Sequence, residues 1–154
     1  MTSITIASLA DMEGLGAQLA AAAQPGDVIA LSGDLGAGKS TLARAILHAL
    51  GFAGEVPSPT FALILPYDTP EVRMPVIHAD FYRLEGAGDL AELGIDSGEP
   101  ALLIAEWPER VGGLAGADTL QLQIDGSDAS ARHISAVPGA NWAARWQQIA
   151  GEFR

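Results

Sequence analysis

The stretch that decides the fold is Gly33-Asp34-Leu35-Gly36-Ala37-Gly38-Lys39-Ser40, with the apolar run Val28 to Leu31 before it and a helical pattern from Lys39 to Leu50, ended by Gly51, after it. It fits G-x-x-x-x-G-K-[ST] in full. A short run buried on both faces of a parallel sheet, a glycine-rich turn and then a helix is the order that a phosphate-binding loop requires. Each residue type has a mechanical reason to be there. Glycines reach backbone angles closed to other residues and let main-chain N–H groups wrap an anion, while the helix points its positive dipole end at the same place. Lys39 supplies a cationic tip for the β- and γ-phosphates, and the Ser40 hydroxyl suits magnesium, which prefers oxygen ligands. The plain alternative is a glycine-rich turn with a solvated lysine. Against it stands the fact that Lys39 is the only lysine in the chain.

Outward from that loop, composition narrows the classes. The chain has 154 residues, 49% of them hydrophobic and 18% charged, which fits one folded domain over 1–154 and excludes disorder. No apolar run approaches the ~20 residues of a membrane span, and Met1 to Met12 lacks the basic start of an export signal. With no cysteine there are no disulfides, thiolate metal sites or cysteine nucleophiles, and a cytoplasmic location is the expectation. Nineteen acids against eight bases give a formal charge of −11, which opposes the electrostatic term that dominates nucleic-acid binding. Direct binding to RNA or DNA is therefore not expected.

Ile4 and Ile6 alternate with polar neighbours as a short strand, and Ser8 to Asp11 opens a helix to about Ala23, stopped by Pro25-Gly26. Phe61 to Tyr67 looks extended, and Met74 to His78 is a strand whose Pro75 implies a sheet edge or a strand start. Glu85 to Glu109 carries seven acids and no Lys or Arg; it reads as a short helix and loop before the second fully apolar run, Ala101 to Ala105. As a charge run it is either a solvated face or a docking surface for a basic partner. Thr119 to Asp125 and Arg132 to Val137 alternate around Asp125-Gly126 as a hairpin, and an amphipathic helix from about Trp142 to Phe153 closes the chain. The expected fold class is α/β: a P-loop NTPase-like domain with a mainly parallel central sheet flanked by helices, and a C-terminal β-hairpin and helix.

The nucleotide can be narrowed. Guanine recognition by an Asn-Lys-x-Asp motif is disfavoured, because the only Asn is Asn141 and the only Lys sits in the loop. ATP is the expected ligand. The apolar run Ala101 to Ala105 ends in Glu106-Trp107, and a hydrophobic strand that ends in an acid can hold magnesium, although an acid also commonly caps a strand. Asp80 leaves the preceding strand at its carboxyl end, where ligands gather in open α/β sheets. There it could orient a water or join a magnesium shell, or simply pair with Arg83 in a turn. His78 alone reads as a packed strand-end histidine. Two other classes share the loop: a small-molecule kinase, which commonly needs an arginine-bearing lid although the seven Arg here are scattered, and a nucleotide-gated binding module without catalysis.

Taken in order, GDLGAGKST, SPTF, HADFYR and AEWPER span Gly33 to Arg110, and together they resemble the TsaE (YjeE) family, the ATPase component of bacterial tRNA threonylcarbamoyladenosine biosynthesis. The resemblance implies a compact P-loop α/β fold and slow ATP hydrolysis, used within a complex with TsaB and TsaD that it resets between turnovers. It implies that tRNA is met only indirectly, through that complex. By the same resemblance, Lys39 binds phosphates, Ser40 and Glu106 coordinate Mg2+, and Asp80 is needed for hydrolysis. Ser58 and Thr60 form a switch-like loop that senses the γ-phosphate, and Trp107 lies close to the nucleotide. Without the family, Trp107 would read as core, and Ser58 and Thr60 as turn residues between prolines. The nucleotide-contacting set is thus Gly33, Asp34, Leu35, Gly36, Ala37, Gly38, Lys39, Ser40 and Thr41, with Thr60, Trp107 and, from the late hairpin, Arg132. Three positions depart from the family pattern. Ser40 replaces the usual Thr but keeps the hydroxyl, Met12 stands where Thr is typical, and Asp96 to Pro100 replaces a more regular Glu-rich segment.

Overall fold

The first helix begins where its capping signal lies: Ser8 Oγ accepts from the Asp11 N–H at 3.1 Å, and Asp11 Oδ2 accepts in return from the Ala7 N–H at 3.1 Å. In the computed structural model, which describes residues 2–59, 63–95, 98–126 and 131–153, the chain forms seven strands and four helices. They are β1 (Thr2–Ile6), α1 (Leu9–Ala22), β2 (Val28–Ser32), α2 (Lys39–Ala49), β3 (Ile64–Tyr67), β4 (Val76–Asp80), α3 (Ala87–Glu92), β5 (Leu102–Glu106), β6 (Thr119–Asp125), β7 (Arg132–Pro138) and α4 (Ala143–Gly151). A 3-10 turn, Pro108–Val111, follows β5.

All seven strands lie in one sheet, in the order β1-β7-β6-β2-β5-β4-β3. The central four, β6, β2, β5 and β4, run parallel, and the two innermost, β2 and β5, carry the near-continuous apolar runs of strands buried on both faces. The outer strands are antiparallel: β3 on β4, β7 on β6, and β1 on β7. The expected α/β class, parallel centre, late hairpin and terminal helix are all present. Local boundaries differ. β4 starts at Val76 rather than Met74 and runs on to Asp80, and Pro75 stands at its entry, its carbonyl accepting from Leu102 N. β4 is an interior strand, so of the two roles open to Pro75 it takes the strand start. Pro66, by contrast, is tolerated within β3 because β3 is the sheet edge. In the segment expected to be extended from Phe61, Phe61 lies outside the described residues and the strand begins at Ile64. At the other end α4 is shorter than its pattern. Trp142 caps it, and the N–H groups of Glu152 and Phe153 bond three residues back, which tightens and ends the helix.

Period-two alternation along the strands sorts the core onto two faces. Ile29, Leu31, Leu102, Ile104, Leu120 and Leu122 pack with α1, α2 and α4 in the larger cluster, whereas Leu103, Ala79 and Ala105 join Phe81, Leu84 and Val111 on the other side. Among the described residues no helix is long and apolar enough to cross a membrane. The closest helix pair is α1 on α2. A Cβ built on Gly16 would lie 2.5 Å from Ala45 Cβ and 2.9 Å from its carbonyl carbon, so the crossing is set by a hydrogen where any other residue has a methyl. Gly16→Val therefore forces the helices apart. Denaturant titration is expected to show a loss of about 1–3 kcal/mol, the usual range for overpacking, and an unchanged midpoint would contradict this contact.

Candidate phosphate-binding site

Chain direction places the site. The parallel strands β2, β5 and β4 end at one level, with Leu31 opposite Glu106 and Glu106 opposite Asp80. Beyond β2 the loop turns through Gly33 (φ +148°), where a Cβ would meet the Ile124 carbonyl oxygen at 2.5 Å, and Gly38 (φ +117°), which precedes the first turn of α2. A side chain at the first would collide with β6, and at the second would be held in the left-handed region. The cleft above is lined by Leu35, Gly36, Gly38, Lys39, Ser40, Thr41, Asp80, Glu106 and Trp107.

Lys39 is 5% exposed and is turned onto its own loop, its Nζ donating to the carbonyls of Gly33 (2.5 Å) and Asp34 (2.9 Å) and standing 4.2 Å from the centre of the Trp107 ring. Burial pushes its ammonium below the ordinary lysine range, while the carboxylates of Glu106, Glu109, Asp80 and Asp34 pull the other way. The result is a dry cation among acids, with exchangeable carbonyl partners.

Ser40 Oγ donates to Glu106 Oε1 at 2.9 Å, and the other carboxylate oxygen, Oε2, is 2.8 Å from His78 Nε2. Asp80 Oδ1 accepts from the Tyr82 N–H at 2.9 Å, so this carboxylate is fixed by the turn that follows its own strand. Of the six buried polar residues among those described, four (Lys39, His78, Asp80 and Glu106) meet here. The remaining buried acid, Asp27, has a structural partner in Arg145 at 2.7 Å. Concentrated buried charge of this kind in a cleft makes it the candidate functional site. The donor set of hydroxyl and carboxylate oxygens also fits Mg2+. Among the described residues no three His, Cys, Asp or Glu side chains converge as a complete metal cage.

Trp107 lines the cleft and is also partly buried against the smaller core cluster. Its backbone sits in the left-handed region (φ +61°), and its ring meets Tyr82 edge-on at 4.8 Å. Arg132 reaches the loop from the far side, Nε donating to the Ala37 carbonyl at 2.9 Å and a terminal nitrogen to the Gly126 carbonyl at 2.6 Å. It also lines a second hollow, with Ile6, Ser8, Leu9, Met12, Gly38 and Thr41, that shares Gly38 and Thr41 with the first. Met12 is buried on its floor. Asp34 and Leu35 are exposed, Leu35 at 72%, while Gly33 and Ala37 are buried beneath the loop. Ser58 is exposed, and Thr60, Asp96 and Ser97 lie outside the described residues. Of the acidic stretch, Glu85, Glu92, Glu99 and Glu109 are exposed, whereas Glu106 is buried in the site. Two features were hidden from the sequence. His78 is packed as expected, but it also holds Glu106. The cation–π stack of Lys39 on Trp107 joins residues 68 positions apart, with no local signal.

Comparison with known proteins shows the family and the fold. The family described as "Threonylcarbamoyl adenosine biosynthesis protein TsaE" matches residues 6–134. A tRNA threonylcarbamoyladenosine biosynthesis protein TsaE of Streptomyces coelicolor is 37% identical over 86% of this chain and 94% of its own length. One of Bacillus subtilis is 36% identical over 87% of this chain and 82% of its own. In fold, the chain is similar to the crystal structure of Bacillus subtilis YdiB, with a TM-score of 0.76 over 99% of this chain and 96% of that one at 23% identity. The four sequence blocks, the loop that presents Lys39 and Ser40 to Glu106, and relatives matched over most of their length lead to one conclusion: the chain belongs to the TsaE family of tRNA threonylcarbamoyladenosine biosynthesis.

Proposed function

We propose that the chain is a cytoplasmic ATPase that binds ATP with Mg2+ at the Gly33–Thr41 loop and hydrolyses it slowly, acting with TsaB and TsaD to sustain repeated rounds of tRNA threonylcarbamoyladenosine formation. The observation that carries this reading is the convergence of Lys39, Ser40, Glu106 and Asp80 on one cleft at the start of α2.

Entering phosphates exchange places with the loop carbonyls that Lys39 now holds. The exchange favours phosphate because a charged acceptor makes the stronger, shorter hydrogen bond. The loop's main-chain N–H groups and the α2 dipole add a fixed positive field. Ser40 and Glu106 would hold Mg2+, which when bound neutralises charge on the β- and γ-phosphates. Asp80, anchored by the Tyr82 N–H, is the base that aligns a water for attack. The second hollow, which shares Gly38 and Thr41 with the first, takes the nucleoside against Leu9, Met12 and Arg132. Ser58 and Thr60 are assigned the response to the γ-phosphate by the family resemblance. Contact with tRNA runs through the partners, since a net charge of −11 opposes the electrostatic attraction that dominates binding to a phosphodiester backbone.

Lys39→Ala is expected to abolish ATP binding in calorimetry, whereas Asp80→Ala still binds ATP but releases no phosphate; equal ATPase rates for Asp80→Ala and wild type would remove Asp80 from the reaction. Threonylcarbamoyladenosine formation reconstituted with TsaB and TsaD should stall after early turnovers when this chain is omitted, and multiple turnover unaffected by the omission would overturn the pathway role. The isolated chain is expected to show no binding to bare tRNA in filter or anisotropy assays at physiological salt, and a submicromolar affinity would contradict the indirect route.

A further inference from the structure

Glu106 is held from both sides, and only one of its holders belongs to the phosphate loop. Ser40 Oγ donates to Oε1 at 2.9 Å, and His78 Nε2 lies 2.8 Å from Oε2. A carboxylate only accepts, so the histidine nitrogen is the donor. His78 is 1% exposed, and its other ring nitrogen, Nδ1, has no hydrogen-bond partner among the described residues. A histidine kept only for packing gains nothing from this arrangement, because an unpaired buried nitrogen carries a desolvation penalty of about 1–3 kcal/mol that an apolar side chain would avoid. The hydrogen bonding of the His78 side chain goes to one oxygen of Glu106.

Strand register explains how it gets there. His78 and Asp80 are two residues apart on β4, so both point to the α2 face of the sheet, and Glu106 stands directly opposite Asp80 on β5. His78 therefore reaches Glu106 on the diagonal, from below, while Ser40 meets it from above. Glu106 has free rotation about three side-chain bonds, and without the diagonal contact its carboxylate has one anchor and can swing toward the nearby Lys39 ammonium.

We propose that His78 is a positioning residue for Glu106: by occupying Oε2 it fixes the rotamer that presents Oε1 to Ser40 and to the metal that accompanies a nucleotide. The proposal rests on the Mg-nucleotide reading above. It concerns the metal side of the site alone, so His78 acts on the gain in affinity that Mg2+ brings and leaves the metal-free grip of the loop on phosphate unchanged. Outer-shell partners of metal ligands commonly carry about 10–100-fold in metal affinity.

The test is calorimetric titration of the full chain with the non-hydrolysable ATP analogue adenylyl imidodiphosphate, once with Mg2+ and once with EDTA, for wild type, His78→Leu, His78→Asn and His78→Gln. The readout is the ratio of the two affinities. His78→Leu is expected to lower that ratio by about 10-fold or more, with the EDTA affinity as in wild type. The amide of Gln reaches about as far as Nε2, whereas that of Asn stops near Nδ1. His78→Gln should therefore return the ratio close to the wild-type value, and His78→Asn should not. This Gln–Asn pair decides the matter even if His78→Leu fails to fold. A wild-type ratio in His78→Leu or His78→Asn would overturn the proposal, as would a His78→Gln that is no better than His78→Asn, or variants that lose affinity equally with and without Mg2+. Wild type that binds the analogue in neither buffer would instead remove the nucleotide reading itself, and His78's role with it.

Discussion

The parallel register of β4, β5 and β2 is the constraint on which the site depends. Because Asp80, Glu106 and Leu31 are neighbours at one level, two carboxylates and the start of the phosphate loop emerge together at the carboxyl ends of the strands. Alternation then decides which way they face. Leu102 and Ile104 point into the larger core under α2, so Glu106 does as well, and His78 and Asp80 follow on β4. A slip of one residue between β4 and β5 would send Glu106 to the α3 side, away from Ser40 and Lys39. The core thus specifies the chemistry: the same alternation that buries β5 on both faces aims its terminal acid.

Charge is the second organising fact. A chain of net charge −11 keeps its single lysine at 5% exposure, surrounded by Glu106, Glu109, Asp80 and Asp34. In the proposed reading, this suits a pocket that must not bind phosphate indiscriminately. Four acids repel an unaccompanied polyphosphate, and a divalent ion entering with the nucleotide turns two of those acids from a penalty into ligands or their neighbours. On that reading, selectivity for the metal complex follows from the acids and affinity from the loop.

Much of this was legible in sequence because the signals are local. The Gly33–Ser40 loop, the apolar runs ahead of it and before Glu106, the Ser8 cap and the Asp125-Gly126 hairpin each rest on residues a few positions apart, and each is found where expected. Boundaries failed where neighbours in space decided them: β4 continues past His78 because β5 pairs with it to Asp80, and α4 stops early because its last N–H groups tighten into a turn. The functional detail that sequence missed is all long-range. His78 on Glu106, Trp107 over Lys39 and Arg132 on Ala37 join segments 28, 68 and 95 residues apart, and nothing in the local pattern of any partner announces the other.

Trp107 shows how such a contact is enforced. Directly after Glu106 its N–H continues the sheet, donating to the Leu31 carbonyl at 3.1 Å, and the chain then bends sharply through φ +61° into the Pro108–Val111 turn, where Arg110 N donates to the Trp107 carbonyl at 3.1 Å. A non-glycine residue in that region stores about 1–3 kcal/mol of strain and persists only where its surroundings hold it. Here the sheet bond holds one side and the 3-10 turn the other. The bend swings the indole over Lys39, and Tyr82 with Arg110, 4.6 Å from the Tyr82 ring centre, closes behind it. A ring face over a desolvated ammonium contributes on the order of 2 kcal/mol, enough to offset part of the cost of keeping Lys39 dry. The strain at Trp107 and the burial of Lys39 therefore have one cause. The backbone bend next to Glu106 thus carries the indole to the one lysine of the chain, buried at the start of α2.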